Sequence, residues 1–73
     1  MNRIQVYDWY DDCDAEIITG IMDGHYYIKI CKHHEMRRPS DGAILGINET
    51  CTTLLLTDTD MEKLIHALNG DQP

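Results

Sequence analysis

Ala15–Glu35 constrains the fold more than any other stretch, because two apolar, β-rich arms there flank Asp23-Gly24. An Asp-Gly pair between such arms is the strongest short-range hairpin signal: both turn residues must adopt positive φ, which aspartate and glycine tolerate. A two-residue loop also fixes the register. Met22 then faces His25, Ile21 faces Tyr26, Thr19 faces Ile28 and Ile17 faces Ile30. Side chains alternate between the faces of a strand. Ile17, Thr19, Ile21, Tyr26, Ile28 and Ile30 therefore share one face, the expected core. The opposite face sets Asp14, Glu16, Ile18, Gly20 and Met22 against His33, Cys31, Lys29, Tyr27 and His25. That arrangement pairs Asp14 with His33 and lays Tyr27 over the bare Gly20.

The remaining elements follow in order. Residues 2–10 alternate weakly, with Ile4, Val6 and Tyr10 on one face and Tyr7 and Trp9 on the other, and predict a strand. Asp11-Asp12-Cys13-Asp14 predicts an acidic turn; it lacks the glycine and the closing glutamate of a calcium loop. Met36–Gly42, with Pro39 and Gly42, predicts a basic surface loop. Residues 43–47 and 50–56 read as two further strands linked through Asn48-Glu49. A helix is predicted over about 58–69. Thr57 or Thr59 caps it, acids crowd its first turn, and Met61, Leu64, Ile65 and Leu68 make one apolar stripe before Asn69-Gly70 ends it.

The expected fold is α+β: an antiparallel meander of four or five strands with the C-terminal helix packed on one face, in a single small domain, 1–73. Such a helix covers only part of the sheet. It leaves Ile18, Met22, Tyr27, Tyr7 and Trp9 as apolar groups on the uncovered side, and contiguous exposed apolar area marks an interface. A chain of 73 residues buries only about 60% of its surface on folding and needs a supplement. Together these observations predict a homodimer or higher homo-oligomer.

Met1-Asn2-Arg3 leads into a strand and not into the apolar core of a signal peptide, and no apolar run reaches membrane-spanning length. The expectation is a cytoplasmic protein without membrane contact. Three cysteines, Cys13, Cys31 and Cys51, lack CxxC spacing and are expected to be reduced thiols. The net charge of −7 argues against direct binding to DNA, whose backbone requires basic surface.

No phosphate loop, nucleophile elbow or HExxH helix is present, so the chain reads as non-enzymatic, with no cofactor and no metal expected. The favoured reading is a protein-interaction module. Its size and acidity parallel small inhibitors of host machinery encoded by viruses or mobile elements, some of which present carboxylates in place of nucleic-acid phosphates. In that reading Asp8, Asp11, Asp12, Asp14 and Glu16 form the contact edge and Tyr7 and Trp9 are its anchors. An alternative uses Lys29, Lys32, His33, Arg37 and Arg38 to hold a nucleotide or phosphate. A second alternative is a minor zinc module in which Cys31 and His33, two apart on one strand, are joined by an acid and by His25 or Cys13.

Overall fold

The computed structural model describes residues 1–70. Strands β1 (Asn2–Asp8), β2 (Cys13–Met22), β3 (His25–Arg37) and β4 (Ile44–Leu56) form one antiparallel sheet in the order β1-β2-β3-β4, followed by helix α1 (Asp58–Leu68). Asp23 and Gly24 take φ of 52° and 75°, and β2 pairs β3 in the register that a two-residue turn dictates. At Gly20 an added Cβ would lie 2.7 Å from the Tyr27 ring. The aromatic thus fills the space that the missing side chain leaves open.

The turn also sets the hydrogen-bond parity of the sheet. A two-residue loop is closed by a hydrogen-bonded pair, so Met22–His25, Gly20–Tyr27, Ile18–Lys29, Glu16–Cys31 and Asp14–His33 are the wide pairs of β2 and β3. The odd residues of β3 spend their backbone groups on β2, so toward β4 they form the narrow, non-hydrogen-bonded pairs. The 4.1 Å Cα separation of Cys31 and Cys51 agrees with this.

Local bonds shape both remaining connections. Asp8 Oδ1 accepts from the backbone N–H groups of Tyr10 (2.9 Å) and Asp11 (3.2 Å), and Asp12, at φ 55°, turns the chain into β2. In the β3–β4 loop Arg38 N donates to Ala43 O and Gly42 N to Arg38 O, both at 2.8 Å. Asp41 accepts from Ala43 N and from the Arg38 guanidinium. At the start of α1, Thr57 caps the helix by accepting from Asp60 N.

Three expectations are corrected. Residues 43–47 and 50–56 are not two strands: β4 runs unbroken, with Asn48 and Glu49 paired to His34 and His33. Neither residue takes the positive φ of a tight turn, and the sheet absorbs its one irregularity at Met36/Arg37, where the register shifts. Secondly, the cysteines are not all free thiols. Cys31 and Cys51 form a disulfide and Cys13 is the buried free thiol. The bond joins residues 20 apart in sequence, which by chain entropy is worth on the order of 3 kcal/mol.

The third correction concerns the core. The side chains that are buried are Cys13, Ala15, Ile18 and Cys31. Ile18, expected on the open side, is covered because the long stems of Arg3 and Lys29 flank it in register, with Met22, Tyr27 and Thr53 around it. The isoleucine face expected to be the core remains open instead: Ile4 is 54% exposed, Ile21 69%, Ile30 39% and Leu54 54%. Helix α1 meets mainly β3 and β4 and buries none of its own residues. Leu56, Met61 and Leu64 are half-buried.

The result is a slab of 51 × 29 × 15 Å with a radius of gyration of 16.0 Å, against about 11 Å for a compact chain of this length. Among the described residues no helix is long and apolar enough to cross a membrane.

Because Gly24 sits in the left-handed region, Gly24→Ala is expected to lower stability by about 1–2 kcal/mol. Asp23→Asn, which tolerates the same region, should change it by less than about 0.5 kcal/mol. Urea denaturation at one fixed protein concentration measures both.

Candidate functional site

The β1–β2 connection and its flanks gather Asp8, Asp11, Asp12 and Asp14 at one end of the sheet. Lys32 lies across from it on β3 and bridges Asp8 at 2.7 Å and Asp11 at 2.6 Å. These carboxylates raise the Lys32 pKa well above its ordinary value. Asp8 is held below the usual carboxylate range, first by the Lys32 hydrogen bond and then by the Asp11 N–H, with Tyr10 adding to the effect against some desolvation. The free thiol of Cys13 is pushed up, by burial first and then by the Asp8 charge, so it is a poor nucleophile.

The expected contact residues share this end, but their charges are not equally available. The Tyr7 hydroxyl donates to Asp12. Glu16 is held by Arg3 at 2.9 Å and by Gln5 at 2.6 Å. Among the described residues Asp14 has no side-chain partner. It borders an open depression of about 440 Å³ with Tyr7, His33, His34 and Arg37. The Tyr7 and Trp9 rings meet edge to face with centroids 5.0 Å apart. Trp9 is 86% exposed and Tyr10 95%; the sequence reads Tyr10 only as a strand residue, whereas here it lies in the turn beyond β1, as exposed as Trp9.

The basic set does not converge. Lys29 and His33 lie on one face of β3 and Lys32 on the other, where two carboxylates occupy it. Arg37 is paired with Glu35, and Arg38 with Asp41 at 3.2 Å.

On the face opposite the isoleucines, a second group of side chains does come together. Cys31 stands opposite Cys51 and His33 opposite Glu49. His33 Nδ1 lies 3.3 Å from Glu49 Oε2, and Cys51 Sγ lies 3.4 Å from Glu49 Oε1. The sequence places His33 against Asp14, and the register agrees. The side-chain contact nonetheless forms with Glu49, because the β3–β4 pair is the narrow one. Glu49 was hidden in the sequence by its reading as a turn residue; the ExC spacing of Glu49 and Cys51, matching the CxH of Cys31 and His33, is the signal that could have found it.

No family model matches this chain, nor does any curated protein or solved structure.

The Asp8–Lys32 contact carries a pH signature. Asp8 has a folded pKa below its unfolded value of about 3.9, so its contribution is present above that pH and lost as the pH falls through the folded value. In urea titrations from neutral pH to acid, Asp8→Asn is expected to be less stable than wild type at neutral pH. The gap should close below about pH 4.

Proposed function

We infer that this chain is a non-enzymatic protein-interaction module that works as a homodimer. Two copies close over the isoleucine face, and each presents the Trp9–Tyr10 acidic end to a protein partner. The open apolar face carries this reading. Ile4, Ile17 and Ile30 stand in one row across three strands, flanked by Val6, Ile28 and Leu54. In water such a surface is unfavourable, and a second sheet packed about 10 Å away is the usual cover.

Area supports a second copy as that cover. The chain exposes 5885 Å², whereas a compact monomer of its mass exposes about 4,600 Å². The excess is on the order of 1,300 Å² per chain. Two copies hiding that excess bury about 2,600 Å², within the range of obligate homodimers. A two-fold arrangement sets the same isoleucine row against itself, as an isologous interface requires. The exposed rings of Trp9 and Tyr10 are the kind of anchors that carry binding energy in protein interfaces.

Sedimentation velocity at micromolar concentration is expected to give twice the 8.4 kDa chain mass. Ile30→Asp should abolish the dimer while Lys29→Asp, on the opposite face, keeps it. A folded wild-type monomer, or a dimer indifferent to Ile30→Asp, refutes this assembly.

The partner surface is tested separately. Replacing Trp9 and Tyr10 together by Ala should leave dimer mass unchanged and stability within about 0.5 kcal/mol. It should also remove proteins that co-purify with wild type. Retention of the same proteins by the double variant refutes this end as the contact.

A further inference from the structure

We propose that Cys31, Cys51, His33 and Glu49 form a zinc site when the Cys31–Cys51 disulfide is reduced, so that the disulfide and the metal are alternative links between β3 and β4. This inference stands on the face opposite the isoleucines and does not depend on the dimer.

The geometry comes from the strand pairing. Residues two apart on a strand point to one face, and narrow pairs bring opposite side chains closest. Cys31 and His33 on β3 therefore meet Cys51 and Glu49 on β4 as a rectangle of four ligating side chains. One ligand atom from each of Cys31, Cys51 and Glu49 already lies within 4.8 Å of the other two. His33 joins the group through Glu49, at 3.3 Å. Neighbouring ligands of tetrahedral zinc stand roughly 3.3–3.8 Å apart at ordinary bond lengths. The Cys51–Glu49 and His33–Glu49 separations of 3.4 and 3.3 Å fall in that span.

The chemistry selects the metal. Two thiolates with one imidazole and one carboxylate suit zinc, and the soft sulfurs disfavour magnesium or calcium. The surrounding residues select which acid binds. Glu16 also faces Cys31, from β2, but it is a wide-pair neighbour and its oxygens are occupied by Arg3 and Gln5. Glu49 is 55% exposed at its side chain and already spans the histidine and a sulfur. Asp14 is the wide-pair register neighbour of His33 on β2 and stands farther from it than Glu49 does. Cys31 is buried and Cys51 exposed, so the site opens to solvent on the Cys51 side.

The two states balance as follows. A phosphine reductant cleaves the S–S bond: two electrons pass from phosphorus to the sulfurs, water supplies two protons to give two thiols, and its oxygen leaves as phosphine oxide. Zinc binding then displaces both thiol protons to solvent, and the two thiolates and the carboxylate face the divalent charge.

The test uses the full chain, reduced with a phosphine and freed of metal, then titrated with zinc under native mass spectrometry. Cobalt is titrated in parallel for its tetrahedral thiolate absorption. One zinc per chain is expected in the reduced protein and none in the oxidised protein. Cys51→Ser should abolish binding and the cobalt bands, His33→Ala and Glu49→Gln should each weaken affinity about tenfold or more, and Cys13→Ser should change nothing. If the reduced metal-free chain is unfolded, zinc should restore its strand circular dichroism. Absence of zinc uptake by the reduced chain overturns the proposal. So does uptake that survives Cys51→Ser or requires Cys13.

Discussion

Two positive φ values at Asp23 and Gly24 determine more of this molecule than any buried contact does. A two-residue turn leaves no freedom in register, and register assigns every side chain of β2 and β3 to a face. It also decides which cross-strand pairs carry hydrogen bonds. Because the parity passes from strand to strand, the geometry of the turn is felt at Cys31 and His33, six and eight residues beyond His25. There it makes Cys51 and Glu49 the close neighbours and Glu16 and Asp14 the distant ones. The side-chain cluster on that face is thus a consequence of the hairpin and not an independent feature.

The same strand alternation leaves the sheet unfinished. A sheet normally hides one face against another layer. Among the described residues the only other element is an 11-residue helix that touches the margin of the sheet and buries none of its own residues. The well-buried side chains include alanine and two cysteines, small groups whose burial contributes little. Hydrogen bonds along four strands, the Cys31–Cys51 bond and charged side-chain stems over Ile18 hold one layer together. They do not replace the second layer that Ile4, Ile17 and Ile30 require.

The hairpin, its register, Tyr27 over Gly20 and the capped helix were legible in the sequence because each rests on local chemistry: turn dihedrals, alternation, an N-cap. What was not legible rests on relations between distant segments. The disulfide joins residues that only the β3–β4 register brings together, and that register has no diagnostic turn to announce it. β4 read as two strands because Asn48-Glu49 has loop composition, while its pairing to His34 and His33 comes from the partner strand. Alternation separates the two faces of β2 and β3, yet the more apolar face, the expected core, is the open one. Which face is buried in one chain depends on what lies above it, and alternation alone is silent on that. Sequence adjacency groups Asp8, Asp11, Asp12, Asp14 and Glu16, but the side-chain partners that engage four of these five acids are not visible in it.

Those partners change how the net charge should be understood. Five of the six lysine and arginine side chains, all but Lys29, lie within 4.0 Å of a carboxylate among the described residues. The formal charge of −7 therefore overstates the free carboxylate at any one place. Asp8 and Asp11 share a single ammonium group, and its bridge spans from the β1–β2 connection to β3. Exposed pairs of this kind add little stability one by one. Their joint effect is positional: they hold the loop that carries Trp9 and Tyr10 against the sheet, and two nearly bare aromatic rings are thereby displayed from a tethered segment. Preorganisation of this sort lowers the entropy lost when a partner docks. At this end the carboxylates act first on the protein's own loop, and under the proposed function the aromatic rings are the contact surface.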